Sequence, residues 1–189
     1  MKIYFVRHGQ TDYNRQRKFY GTTDVPINKT GKSQCQTVGR KLHRHSISKV
    51  YTSSRLRAMQ SAQLIFPDHS FIARSFLDEW GFGLWEGLDA DEIQAAFPLE
   101  WDRWLKDPFG YTPPGAKPYS QFVKVMIAGF EQLLLQEEDI ALVTHLGTIR
   151  VLLHYIYPEI SFWDIALSQE NYTCISYDGT SFEKIVWDN

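Results

Sequence analysis

Ile3-Tyr4-Phe5-Val6-Arg7-His8-Gly9 is an unbroken run of four apolar residues that ends in an arginine, a histidine and a glycine. A short apolar run closed by a polar cluster predicts a strand buried on both faces, as parallel sheets require. Ile140-Ala141-Leu142-Val143-Thr144-His145 repeats the pattern far down the chain. Two strands therefore end in histidine. In open α/β sheets, ligands bind beyond the carboxyl ends of strands. His8 and His145 together mark a candidate site.

Working outward, strands and helices alternate. Thr30 can cap a helix running to Arg44, and Val50-Tyr51-Thr52 suits a strand. A helix is expected from Arg55 to Ile65, then a short strand at Phe71–Ala73 and a loop through Gly81 and Gly83. Asp89 to Phe97 and Leu99 to Lys106 read as short helices. Phe122, Val123, Met126, Ile127, Phe130, Leu133 and Leu134 recur at helical spacing, which predicts an amphipathic core helix over Tyr119–Gln136. A helix from Thr148 to Tyr157 follows the second histidine. The tail forms a hairpin around Asp178-Gly179-Thr180. Asn14 to Asn28 is polar and reads as loop. This alternation predicts a three-layer α/β/α sandwich with a mostly parallel central sheet.

The chain has 189 residues, 43% of them apolar, which suits one domain over 1–189 with a sizeable core. Its formal net charge of −2 argues against a nucleic-acid or anionic-membrane partner. No apolar run is long enough for a transmembrane helix. The apolar start is too short for a secretory leader. Cys35 and Cys174 read as two buried thiols, and no cluster of metal ligands stands out. These features predict a cytoplasmic protein that needs no metal and no cofactor.

Several residues suit chemistry on phosphate. Arginine binds phosphate through a planar fork. A neutral imidazole can attack phosphorus, and a positioned acid can protonate the leaving oxygen. Arg7 lies beside His8 at a strand end, and Gly9 permits close approach of backbone.

The stretches Val6–Asn14 and Gly21–Gly31 resemble the histidine phosphatase superfamily, in its phosphoglycerate-mutase-like branch. The resemblance continues at Tyr51–Ala62, Leu77–Gly87 and Leu142–Arg150. It implies that His8 is a nucleophile, with Arg7, Arg57 and His145 around the phosphate. Asn14 and the backbone of Gly21 would add hydrogen bonds, Glu79 would donate the proton, and the substrate would be a small phosphorylated molecule. The implied fold is the same α/β/α sandwich, and the family works without metal.

Three positions depart from the family pattern. Leu146 stands where glycine usually follows the second histidine, although its backbone N–H can still donate to phosphate. Ala116-Lys117-Pro118 replaces a carboxylate-bearing segment, which favours a more anionic substrate. Arg55 replaces leucine and reads as an exposed charge. His43 and His45 read as solvent-facing. The short spacing between Glu79 and His145 resembles phosphatases, and the Trp85-Glu86-Gly87 and Trp101…Gly115 pattern is similar to α-ribazole-phosphate phosphatases. A phosphoglycerate mutase and a non-catalytic binder of phospho-ligands remain alternatives.

Overall fold

In strand β1 (Lys2–Arg7), Ile3 and Phe5 turn to one side of the sheet while Tyr4 and Val6 turn to the other. Successive side chains alternate across a strand, so an unbroken apolar run needs cover on both faces. The structure, a computed structural model, supplies that cover and describes residues 1–187. The other strands are β2 (Lys49–Thr52), β3 (Phe71–Ala73), β4 (Ile140–Thr144), β5 (Thr173–Tyr177) and β6 (Phe182–Val186). Among the described residues they form one sheet in the order β3-β2-β4-β1-β5-β6. The first four run parallel, and the C-terminal hairpin β5–β6 adds antiparallel to β1.

Helices α2 (Lys29–Leu42) and α3 (Leu56–Ile65) cover the face of Tyr4 and Val6 with Cys35, Val38, Ala62 and Ile65. Helices α6 (Tyr119–Leu134) and α7 (Leu146–Ile156) cover the opposite face with Met126, Phe130, Ile149 and Leu152. The three-layer α/β/α sandwich is therefore the observed fold. Each fully buried large apolar side chain in these layers is worth about 1.5–3 kcal/mol. Both cysteines are buried free thiols. No helix among the described residues is long and apolar enough to cross a membrane.

Three local boundaries differ from the sequence expectation. Asn28, not Thr30, caps α2: its side chain accepts the N–H of Gly31 at 2.9 Å, and the helix starts at Lys29. The stretch expected as loop contains a one-turn helix, α1 (Asp12–Arg15), closed by a Thr11–Asn14 capping box. Helix α7 begins at Leu146 rather than Thr148, because β4 passes through His145 straight into the helix.

Helices α4 (Ala90–Ala96) and α5 (Pro98–Lys106) form a cap with a 3-10 turn at Gly83–Trp85. Its centre is a third cluster of Trp85, Ile93 and Trp101, against which Phe19, Phe82 and Trp104 pack. This aromatic cap stands beside the carboxyl end of the sheet.

Candidate active site

The register of β1 on β4 sets Arg7 opposite Thr144, so the next residues, His8 and His145, leave the sheet side by side. The N–H of His8 donates to the Thr144 carbonyl at 2.8 Å, and the two rings lie 5.1 Å apart edge to face. Both are buried. His8 Nδ1 is 2.8 Å from the Gly9 carbonyl. A carbonyl only accepts, so Nδ1 carries the proton and Nε2 keeps its lone pair. Burial, with Arg57 and Arg7 nearby, holds the His8 pKa well below the usual imidazole value. The neutral tautomer leaves the Nε2 lone pair free. Gly9 is required here, because a β-carbon would sit 2.5 Å from the Gly31 carbonyl oxygen.

Arg57 lies in the first turn of α3 and is fully buried, although an arginine on a helix is exposed by default. Its Nη1 and Nη2 donate to the carbonyls of Thr23 at 3.0 Å and Gly21 at 2.9 Å. Its Nε donates to His145 Nδ1 at 3.2 Å, and its Cζ lies 4.5 Å from the centre of the Tyr20 ring. Because Arg57 can only donate, His145 Nδ1 is the bare nitrogen and Nε2 carries the proton. That proton goes to Ser53 Oγ at 2.8 Å, and the Ser53 hydroxyl then donates to Asp78 Oδ1 at 2.7 Å. The ring of His145 is thus oriented from Asp78. Its pKa is also pushed well down, by burial and then by Arg57.

Glu79 follows Asp78 and is gripped by two backbone donors, Trp80 N–H on Oε1 and Gly147 N–H on Oε2, both at 3.0 Å. A β-carbon at Gly147 would collide with this carboxyl group. Burial raises the Glu79 pKa; the two N–H bonds and then Arg57 and Arg7 oppose it without cancelling it. Arg7 contributes a buried Nε with no hydrogen-bond partner. An orphaned guanidinium donor is costly unless an acceptor arrives.

These groups meet around a cavity of about 60 Å³ lined by Arg7, His8, Asn14, Tyr20, Arg57, Glu79, His145 and Leu146. Liquid water takes about 30 Å³ per molecule, so the space has room for only a small group, and its two arginines favour an anion. Asn14 Oδ1 is filled by Thr11 N–H at 3.1 Å and Gln169 Nε2 at 3.2 Å, which leaves its NH₂ to donate. Gly21 stands differently from its expected part. Its N–H donates to Glu86 Oε1 at 3.0 Å, while its carbonyl holds Arg57. Arg55 is also not a free surface charge: it pairs with Asp78 Oδ2 at 3.3 Å and is about a quarter exposed at its side chain. His43 is exposed as expected, but the exposed His45 ring lies 3.2 Å from both the Tyr4 and the Tyr172 hydroxyl. Among the described residues, no group of three or more His, Cys, Asp or Glu side chains could hold a metal ion.

Glu86 enters the sequence reading only as the middle of the Trp85-Glu86-Gly87 motif, with no role of its own. Its carboxylate accepts the N–H groups of Gly21, Thr22, Thr23 and Phe82, so the loop turns its carbonyls toward Arg57. Burial opposes its charge, yet the Thr23 and Thr22 bonds outweigh it and bring its pKa to about 2. This lies below the ordinary value of 4.5, so the unfolded chain binds the proton first. Glu86 therefore stabilises the fold above pH 4.5, and that contribution is lost as pH falls toward 2. Glu86→Gln is expected to lower unfolding free energy in urea by about 1–3 kcal/mol at neutral pH. An unchanged midpoint would show that the loop holds itself.

An α/β/α sandwich that gathers two histidines of lowered pKa, the buried Arg57, the half-buried Arg7 and a carboxyl of raised pKa at adjacent strand ends makes a small, positively charged pocket of the kind that receives an anion. The sequence profile of the Histidine phosphatase superfamily (branch 1) matches residues 3–189, and the chain belongs to that family. Among relatives, it is 27% identical to the 6-phosphofructo-2-kinase/fructose-2,6-bisphosphatase of Caenorhabditis elegans over 87% of this chain and 37% of that protein. It is 32% identical to fructose-2,6-bisphosphatase TIGAR B of Danio rerio over 72% of this chain and 56% of the relative. The chain thus spans little more than half of these curated relatives, or less. The alpha-ribazole phosphatase of Shigella flexneri shares the fold with a TM-score of 0.92 and 23% identity, over 100% of this chain and 96% of that one.

Proposed function

We propose that the protein is a phosphatase of small phosphomonoesters that works through phosphohistidine at His8. The observation that supports this best is the His8 tautomer. With Nδ1–H tied to the Gly9 carbonyl, the lone pair of Nε2 belongs to a ring lining a small cavity beside Arg7 and Arg57. In the first step Nε2 attacks phosphorus, the bond from phosphorus to the ester oxygen breaks, and Glu79 gives that oxygen its proton. In the second, the Glu79 carboxylate takes a proton from water as the water oxygen attacks phosphorus. The P–N bond breaks, inorganic phosphate leaves, and neutral His8 returns. Arg7, Arg57 and the Asn14 NH₂ would hold the equatorial oxygens, whose charge is spread out during transfer. Leu146 N–H, in the first turn of α7, would add a backbone donor.

Within this class, α-ribazole 5′-phosphate is the particular substrate to test first, since a structural neighbour carries that activity in its name. A reducing, cytoplasmic setting fits the two free thiols. Release of inorganic phosphate from p-nitrophenyl phosphate and from a panel of phosphorylated metabolites tests the reading. Isomerisation of 3-phosphoglycerate in the presence of bisphosphoglycerate, without net phosphate release, would instead make the protein a mutase.

Two outcomes follow from the charge arrangement. Activity is expected to survive EDTA and dialysis, because the arginines supply the positive charge a metal would otherwise bring; loss of turnover restored by one divalent ion would overturn this. Arg57 contacts a phosphoryl group in both ground and transition states. Arg57→Ala is therefore expected to raise KM and lower kcat, together costing kcat/KM about a hundredfold or more. Lysine should rescue only partly, since it lacks the fork that spans the Gly21 and Thr23 carbonyls and His145. Normal kinetics in the alanine variant would remove Arg57 from the binding of phosphate.

A further inference from the structure

A second cavity, of about 330 Å³, adjoins the phosphate cavity: Tyr20, Glu79 and Leu146 line both. Its far wall is aromatic. Phe109 and Trp163 lie nearly parallel, 5.5 Å apart at 20°. Phe162 meets Phe109 edge-on at 5.0 Å, and Tyr119 packs on Phe109 at 4.9 Å. Arg150 also lines the cavity, with its guanidinium carbon 5.6 Å from the ring centres of both Phe162 and Trp163. Phe109 and Trp163 are 37% and 52% exposed.

Exposed aromatic rings gathered at a cleft mark a ligand groove rather than a core. A flexible aliphatic polyol placed here would shed water against ring faces that offer few hydrogen-bond partners in return. A flat aromatic ring would gain stacking and edge contacts instead. Glu79 stands at the junction of the two cavities. A proton donor must touch the leaving oxygen, so whatever lies beyond Glu79 from the phosphate is the leaving group.

We infer that this cavity receives the leaving group of the substrate, and that Phe109, Trp163 and Phe162 select leaving groups carrying a flat aromatic or heteroaromatic ring over aliphatic ones. The inference rests on the phosphatase reading for the identity of the leaving group, but the selectivity can be read by binding alone. The volume lies near the small end of the ~300–1,000 Å³ typical of small-molecule pockets, which limits the ring system to one or two fused rings.

The test is calorimetric titration of the full chain with methylphosphonate, cyclohexylmethylphosphonate and benzylphosphonate, which share a non-hydrolysable head. Benzylphosphonate is expected to bind about tenfold or more tighter than methylphosphonate, and clearly tighter than its saturated, non-planar counterpart. In Phe109→Ala and in Trp163→Ala the benzyl-to-methyl ratio should collapse toward one. Methylphosphonate affinity serves as the internal reference in each variant, and a thermal melt confirms that each is folded. Equal affinity for the three ligands, undetectable binding of all included, overturns the inference; so does a ratio that survives both substitutions. Turnover of p-nitrophenyl phosphate is measured in parallel. Aromatic selectivity without turnover would leave the ring cavity standing and sink the phosphatase reading, while turnover without selectivity would do the reverse.

Discussion

His8→Ala is expected to abolish turnover, by at least about a thousandfold. No other imidazole can replace it. His145 is its nearest neighbour, but its bare nitrogen, Nδ1, already accepts from Arg57, and its Nε2–H is engaged by Ser53. Rapid quench of the wild-type protein with labelled substrate should trap a phosphoenzyme that is labile in acid and stable in base. The alanine variant should show none. Because His8 is buried, its removal could disturb packing, so the variant's thermal melt and its affinity for inorganic phosphate are needed beside the kinetics. A folded variant that retains turnover within about tenfold of wild type would show that the covalent route is wrong.

Glu79→Gln is expected to slow phosphoenzyme formation from alkyl phosphates by a factor of about a hundred or more. An alkoxide needs the proton as it leaves; a nitrophenolate does not, so the same step with p-nitrophenyl phosphate should suffer far less. Single-turnover measurement isolates this step from the later attack of water, which needs the carboxylate as base. The pH profile supplies a second readout. Burial raises the Glu79 pKa above the ordinary 4.5 and so extends the acid form toward neutrality. Phosphorylation from an alkyl ester should therefore fall as pH rises through that raised value, and Glu79→Gln should remove this limb. Equal slowing for good and poor leaving groups would leave Glu79 with a structural role only.

The sequence made the two histidines legible because strand ends are visible in apolar runs, and a residue placed just after such a run has little freedom. The fate of Arg57 was less open to reading by pattern alone. Its burial depends on the carbonyls of Gly21 and Thr23, far away in the chain, and only the family resemblance set it beside the phosphate. Peptide orientation is harder still. Nothing local says whether Gly21 turns its N–H or its carbonyl inward, and here Glu86 decides it from another loop. Tyr20, Ser53 and Gln169 carried no signal of their own, since a tyrosine, a serine and a glutamine are ordinary in any loop. Arg55 looked like a surface charge until Asp78, brought near by the loop after β3, gave it a partner.

The side-by-side exit of His8 and His145 has a consequence for which changes of chain length the protein can absorb. No linker separates β1 from His8 or β4 from His145; each histidine takes its position by counting residues along a strand whose pairing is already fixed. Deleting or inserting one residue within either strand would send that histidine to the opposite side of the sheet, because side-chain direction inverts at every step. No repacking of neighbours repairs such an inversion. The segment from Asp107 to Pro118 is under no such constraint, because it lies between α5 and α6 and outside the paired strands. Length variation among proteins built on this plan should therefore concentrate in that segment, where it reshapes what reaches the reacting phosphorus, and be purged from the two strands that aim at it.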